Sequence, residues 1–338
     1  MDIEKYEKKI FELQQLLEVT KALNSTLNFR KLVDAILFSF MAQARCTKAA
    51  LYIGQEIEPD IITLQRNYMG FEIDPVIPIQ LSCEIPALKT MMENDRCLTI
   101  DEFSNYLPHN SQTEPLISYL KKELELIIPL SINKKLVGIV LLGGRIDSFP
   151  ITKHEIEFLG QIGLYSSIAI QNSLLFDMAT MDMMTGLKVK HFLTKLIDES
   201  IKVGEHNFII IMMDIDDFKS VNDTYGHQIG DETIIGVANI MKQAVRDNDV
   251  ASRYGGEEFV VMLRETDLEA GIVVAERIRA AVENMKISSG KTTLSTTISL
   301  GVAEFDIDID KNTHDIIGRA DNSLYISKRN GKNQVTTA

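Results

Sequence analysis

The stretch Arg253-Tyr254-Gly255-Gly256-Glu257-Glu258-Phe259-Val260-Val261-Met262-Leu263 constrains this chain most. Two short segments meet at Gly255-Gly256, and paired glycines supply the positive φ angles that a tight turn demands, so a β-hairpin is expected here. Two carboxylates follow the turn at once. Glutamate has low strand propensity, and adjacent acids at a bend repel unless a cation lies between them and a partner, so the pattern points to a metal site. Glycine also lets a bulky ligand approach the backbone. A solvated GG turn with exposed acids is the plainer alternative.

A second stretch bears on the same point. Phe208-Ile209-Ile210-Ile211-Met212-Met213 is a continuous apolar run, the pattern of a strand buried on both faces, and Asp214 ends it. Asp216 or Asp217 can serve as an N-cap for the helix that follows. An acid at the end of a buried strand is placed where ligands gather in open α/β sheets. Asp214 and Glu257, from adjacent strands, could together hold a hard cation such as Mg²⁺ and leave positions for phosphate oxygens.

A chain of 338 residues is long for one core, so two domains are expected. Hydrophobic content of 45% and charged content of 25% are those of a soluble globular protein. No apolar run approaches bilayer length and the first residues have no signal-peptide character, which reads as a cytoplasmic protein without a membrane partner. Cys46, Cys83 and Cys97 form no CxxC pair, so buried thiols are expected in place of disulfides or structural zinc. A net charge of −13 disfavours nucleic acid.

Ile3, Tyr6, Ile10, Leu13 and Leu17 alternate by three and four, the seam of a short coiled coil or the face of a helix lying on its own domain. A helical pattern over 32–44 leads to strand-like pieces at 49–53, 61–64, 76–81, 126–130 and 136–142, with a helical stretch at 87–94 and a polar middle at 101–115. This order is that of an α+β sandwich. From Ile156 to Met184 the chain reads as one long helix with Leu164, Ile168, Leu175 and Met178 on a seam, suited to transmitting a change of register between domains.

The segments MMDIDDFKSVND, YGHQIGDE, RYGGEEF, ISLGVAEF and RADNSLYISKRNGKN resemble, in order and spacing, the GGDEF family of diguanylate cyclases. The resemblance implies a mainly antiparallel sheet wrapped by helices, related to the palm of nucleotidyl cyclases, and a reaction joining two GTP molecules into cyclic di-GMP with release of pyrophosphate. It implies that Asp214, the carbonyl of Ile215 and Glu257 ligate Mg²⁺ (or Mn²⁺), with Glu257 as base for the attacking 3′-hydroxyl. Asn222 and Asp231 would read guanine, backbone N–H groups at Phe218 and Lys219 would cradle phosphates, Glu258 would line the substrate site, and Lys328 and Lys332, four apart on one helical face, would meet the triphosphate. Arg246 and Asp249 match an RxxD site at which many members bind cyclic di-GMP as inhibitor; an arginine can fork onto guanine O6 and N7. Lys332 stands where the family usually has Arg, and the family's Asn-Arg after its opening Asp-x-Leu-Thr-Gly-Leu is absent from the run Asp182 to Phe192. Because each GTP supplies a nucleophile to the other, a homodimer is expected. A catalytically silent cyclic di-GMP receptor and a cyclase making another cyclic nucleotide are the competing readings.

The first half is similar to a GAF domain, most visibly in Asn133-Lys134-Lys135-Leu136-Val137-Gly138-Ile139-Val140, then Phe149 and the helix from His154. That implies a pocket for a small ligand. Asn133, Lys134 and Phe149 match part of the frame of cyclic-nucleotide-binding members, with Lys153 and His154 in place of an acidic pair, so cAMP or cGMP is the ligand expected, with its contacts unassigned. The expected α+β two-domain architecture is therefore an N-terminal helix over 1–15, a GAF-like sheet flanked by helices over 16–155, a connecting helix over 156–180 and a palm-like GGDEF domain over 181–338.

Overall fold

The computed structural model describes residues 2–72, 77–107, 114–146, 149–205, 207–289 and 292–338, apart from the side chains of residues 2–5, 8, 288, 289, 292 and 293. The chain divides into two units, Met1–Asp177 and Met178–Ala338. Among the described residues no helix is long and apolar enough to cross a membrane.

The first unit runs α1 (Asp2–Asn24), α2 (Phe29–Ala44), β1 (Cys46–Ile53), β2 (Ile61–Leu64), β3 (Gln80–Ser82), α3 (Pro86–Asn94), β4 (Leu98–Thr99), α4 (Ile100–Ser104), α5 (Glu114–Glu123), β5 (Leu126–Ile132), β6 (Lys135–Arg145) and α6 (Lys153–Thr180). Its antiparallel sheet has the order β3-β2-β1-β6-β5-β4. The β5–β6 hairpin turns at Asn133 and Lys134, both with positive φ (51° and 63°), as a two-residue primed turn requires. On one face of the sheet Val19 and Leu23 of α1, Ile36 and Phe40 of α2, and Leu159, Ile162 and Ile170 of α6 share a core. On the other face Leu88 and Met91 of α3, Phe103 of α4 and Leu120 of α5 build a second one. All three cysteines are buried.

Several expectations shift in this unit. The amino-terminal helix continues past residue 15 to Asn24 because Val19 and Leu23 have a sheet to pack against. The seam residues Tyr6, Ile10, Leu13 and Leu17 face outward, each more than half exposed, and the Ile3 side chain lies outside the described residues. The strand expected from Val76 is formed only from Gln80, and Val76 itself lies outside the described residues. The polar middle contains α4, whose Thr99–Glu102 capping box stabilises a helix too short to leave a periodic pattern; residues 108–113 lie outside the described residues.

The second unit runs β7 (Lys188–Val189), α7 (Lys190–Val203), β8 (Phe208–Ile215), α8 (Phe218–Tyr225), α9 (His227–Ala244), β9 (Val250–Arg253), β10 (Glu258–Arg264), α10 (Leu268–Asn284), β11 (Ile287–Ser289), β12 (Thr292–Leu294), β13 (Ile298–Glu304), α11 (Thr313–Arg329) and β14 (Val335–Thr337). The main sheet has the order β14-β13-β8-β10-β9-β7, with β8 antiparallel to both neighbours and only the outer pairs parallel. Strand alternation splits β8 between two cores. Ile209, Ile211 and Met213 face α9 and α10, whereas Phe208, Ile210 and Met212 face α7 and α11. Phe208 stacks on Phe305 at 4.7 Å.

Helix α6 stops at Thr180, short of Met184, because Asp182 folds a turn there. Its carboxylate accepts from the Thr185 N–H and hydroxyl (2.9 and 2.7 Å) and its carbonyl accepts from the Gly186 N–H at 2.7 Å.

Candidate active site

Asp214 continues the face of β8 that looks toward α11, at the end of the most buried strand of the unit. It is 9% exposed and pairs with the Lys328 ammonium of α11, 2.8 Å away. Antiparallel pairing sets Glu258 directly opposite it, and the Ile215 N–H donates to the Glu257 carbonyl at 3.3 Å. Burial pushes the Asp214 carboxyl up from its ordinary value; Lys328 opposes that, and the charges of Glu257 and Glu258 add to it. The site thus pairs Asp214 with one lysine and brings the charges of Glu257 and Glu258 close enough to act on its carboxyl.

Asp216, two residues along, is the instructive contrast. Its carboxylate accepts from the Thr297 hydroxyl (2.6 Å), the Ser299 hydroxyl (2.6 Å) and the Asn333 N–H (3.1 Å). It is a satisfied anchor that ties the carboxy-terminal segment to the sheet, whereas Asp214 keeps free acceptor capacity. Asp217 occupies the N-cap position of α8 in the left-handed region (φ 54°) without capping it, because its side chain pairs with Lys332 at 2.6 Å. The first N–H groups of α8, those of Phe218 and Lys219, therefore have no side-chain cap and open the positive end of the helix dipole.

The shared helical face expected for Lys328 and Lys332 does not form. Helix α11 ends at Arg329, Gly331 turns the chain with φ 114°, and Lys332 follows at φ 65° in a loop. The hydrogen bond to Asp217 raises the Lys332 proton affinity and fixes the ammonium beside the start of α8.

Asn222 on α8 and Asp231 on α9 are joined across a corner made by Gly226, whose φ of 85° suits glycine. A Cβ at Gly230 would fall 2.0 Å from Asn222 Oδ1, so only glycine lets this amide lie against the backbone beside Asp231. Among the described residues Asn222 Oδ1 is buried without a hydrogen-bond partner, so it can accept from a ligand donor. Asp231 is exposed.

The hairpin forms as expected, β9 pairing with β10 through Phe259 and Arg253, but not for the expected reason. Neither Gly255 nor Gly256 has a positive φ. The turn is wider than two residues, with the N–H groups of Tyr254 and Gly255 both donating to the Glu258 carbonyl. A Cβ at 255 would meet Glu258 Oε2 at 2.5 Å and displace that carboxylate from its present position, and at Gly256 nothing lies within 4 Å. The second glycine fronts open space beside the carboxylates.

Arg253 is a residue that the sequence reading missed. Its guanidinium donates to the Gly256 carbonyl (2.8 Å from Nη2) and to both Asp182 oxygens (3.2 and 3.3 Å), joining the GG turn to the start of the unit. Burial alone would raise the Asp182 carboxyl, but Thr185 and Arg253 together hold it below its ordinary value.

Arg246 and Asp249 line a pocket of about 230 Å³ together with Arg264, a third residue that spacing alone did not suggest. Asp249 accepts from the backbone N–H groups of Arg246 (2.8 Å) and Arg264 (3.1 Å), so each oxygen keeps one further lone pair. The Arg246 side chain is exposed, and Arg264 Nε is buried 3.5 Å from Glu205.

Among the described residues no group of three or more His, Cys, Asp or Glu side chains is arranged to hold a metal. Two carboxylates and a carbonyl are nevertheless the donor set that suits Mg²⁺ in the presence of phosphate oxygens, and Asp214, desolvated and facing Glu258 with one lysine paired to it, keeps lone pairs for a hard cation. The residues present fit such an ion.

Comparison with known proteins bears on this arrangement. The family profile "Diguanylate cyclase, GGDEF domain" matches residues 179–334. Diguanylate cyclase A of Treponema denticola is 38% identical over 337 residues, which is 98% of this chain and 90% of that protein. Response regulator PleD of Caulobacter vibrioides is 37% identical over 164 residues, 47% of this chain and 36% of that protein. Among solved structures, the coiled coil and GGDEF domain of DgcB from Caulobacter crescentus in complex with c-di-GMP is 31% identical, covers 48% of this chain and 88% of that chain, and superposes with a TM-score of 0.46. On the near full-length match to the Treponema enzyme, this chain is a diguanylate cyclase and belongs to the GGDEF family.

Proposed function

We propose that this diguanylate cyclase condenses two GTP molecules across a homodimer, that a small molecule held by the first unit sets its rate, and that its product inhibits it at Arg246, Asp249 and Arg264. The observation that carries the catalytic assignment is Asp214: a desolvated carboxylate at the end of a buried strand, facing Glu258 and paired with Lys328.

Asp214, the Ile215 carbonyl and Glu257 would hold Mg²⁺ or Mn²⁺, which when bound neutralises phosphate charge and leaves the α-phosphorus open to attack. Asn222 and Asp231 bind the guanine edge; the orphaned Asn222 Oδ1 gains a donor there. The N–H groups of Phe218 and Lys219 and the Lys328 ammonium bind phosphate oxygens, with Lys332 steadying the start of α8 through Asp217. Glu257 takes the proton of the 3′-hydroxyl as its oxygen bonds to the α-phosphorus of the other GTP, and the bond to pyrophosphate breaks; a second, reciprocal step closes the ring. Glu258 lines the site beside Gly255.

One active site holds one GTP, so two chains must meet. The exposed stripes Tyr6, Ile10, Leu13, Leu17 on α1 and Leu164, Ile168, Leu175, Met178 on α6 have the three-four spacing of a coiled-coil seam and support a parallel dimer. A ligand in the first unit would then alter how often the two cyclase domains face each other.

The test is incubation of the purified chain with GTP and Mg²⁺, with products read by mass spectrometry. Cyclic di-GMP is expected from the wild type and none from Glu257→Gln at unchanged melting temperature. Normal turnover by Glu257→Gln would remove its assigned role, and turnover by a chain that stays monomeric with GTP would remove the dimer.

A further inference from the structure

Within the first unit, a cavity of about 270 Å³ lies between the sheet and helices α4 and α5. Tyr52, Ile127 and Ile139 line it from the strands, and Phe103, Tyr119 and Leu120 from the helices. Among the described residues, those that line it are apolar or aromatic and none is charged. Two of the tyrosine hydroxyls are committed elsewhere, Tyr52 to the Pro78 carbonyl at 2.7 Å and Tyr119 to the Glu72 carbonyl at 2.9 Å, so those rings present carbon to the space.

Protein cores pack to the density of organic crystals, and a void of this size forfeits contacts on all of its walls. Water does not compensate, because it needs two to four polar partners; an apolar cavity of about 150 Å³ stays dry and takes up benzene. The space here is nearly twice that, enough for a bicyclic ring system or a chain of similar bulk.

A cyclic nucleotide does not match these walls. Its phosphate would be desolvated with no cation or N–H donor among the described lining side chains, which is among the costliest transfers a ligand can make. Asn133 and Lys134 are exposed at the β5–β6 turn, Phe149 is 71% exposed, and none of them lines the cavity.

We propose that this cavity binds an uncharged, largely hydrocarbon small molecule of about bicyclic size, and that this molecule, in place of cAMP or cGMP, is the input to the first unit. The input role rests on the reading of that unit as regulatory; the binding site does not.

The test uses the full chain in equilibrium dialysis against indole and 1-octanol, with cAMP and cGMP as charged comparators. One apolar probe per chain is expected to bind, indole over octanol if the space is shaped for a ring and the reverse if for a chain, with no uptake of either cyclic nucleotide. Leu81→Trp and Leu116→Trp, which fill the cavity from β3 and from α5, are each expected to weaken that binding at least tenfold in a chain that still folds, as judged by its cooperative thermal unfolding. Absence of binding by both apolar probes up to their solubility, binding undiminished in both filled variants, or saturable uptake of cAMP or cGMP at this cavity would overturn the site. Rates of cyclic di-GMP formation in the same samples separate the two claims: a bound probe that leaves the rate unaltered removes the input role, and a chain that makes no product with or without probe removes the catalytic reading while dialysis still decides the site.

Discussion

Both units pack helices on the two faces of a largely antiparallel sheet, yet they preserve opposite kinds of space. In the second unit the space lies at a strand end and beside a glycine turn, and it is walled by carboxylates and the lysine that pairs with one of them. In the first it lies against the middle of the sheet and is walled by carbon. The difference follows from solvation. A carboxylate cannot be carried into a core without a partner, so a charged site must sit where strands end and water or a ligand can reach it. A hydrocarbon site has no such restriction, and selects by volume.

The largest effects should come from exchanging these characters. Asp214→Asn is expected to lower turnover on the order of a thousandfold or more, as removal of a metal ligand does, while the melting temperature holds or rises because a desolvated, repelled charge is gone. Asp216→Ala should reverse the ranking of effects. It strands two hydroxyls and the Asn333 N–H, so stability is expected to fall by about 3 kcal/mol in chemical denaturation. Equal melting curves for the two variants would break the distinction between an anchoring and a reacting carboxylate. In the first unit, Ile139→Asp places a charge on the cavity wall of a residue 1% exposed, and a loss of about 4 kcal/mol is expected. Tolerance of that change would mean that water already reaches the cavity.

A smaller effect is expected at the product pocket. Arg246→Ala, and separately Arg264→Ala, should raise the cyclic di-GMP concentration needed for half-inhibition about tenfold or more, the contribution of a forked arginine to a guanine edge. Progress curves run with added product measure this, and unchanged inhibition in both variants would move the product site elsewhere.

The same contrast explains what could be read from the sequence. Asp214 stands out because an acid closes the apolar run of β8, and Glu257 because it follows two glycines; charge in an apolar setting is visible in one dimension. The spacing of Arg246 and Asp249 was visible in the same way. Arg264 was not, since it reaches the pocket only through the pairing of β10. Arg253 went unnoticed because its partner Asp182 is 71 positions away. Lys332 was misread onto the helix of Lys328 because a turn at Gly331 leaves little mark in hydrophobic periodicity. The GAF resemblance implied a pocket in the first unit, but its place and apolar character left no signal: its lining is drawn from strands, helices and loops whose residues look like ordinary core, and an unfilled volume is a property of packing.

The smallest effect tests whether the charged site extends to the start of its unit. Arg253 links Asp182 to the Gly256 carbonyl through a partly buried guanidinium, so Arg253→Ala is expected to cost about 1 kcal/mol, a drop of roughly 2–4 °C in melting temperature. Turnover should fall more than this stability loss implies, because the turn carrying Glu257 loses its brace; Arg253→Lys should restore charge but only part of the rate, since one ammonium cannot reach both Asp182 and Gly256 with the geometry of the fork. The pH dependence has a definite sign. The Asp182 carboxyl is held below its ordinary value, so its contribution is complete above the unfolded-state value of 3.8 and is lost as pH falls through the lower, folded-state value. The gap in melting temperature between wild type and Arg253→Ala should therefore be full at neutral pH and close progressively below about pH 4. A gap that stayed constant through that range would mean that Arg253 acts through the Gly256 carbonyl alone, and that the charged site ends at the hairpin.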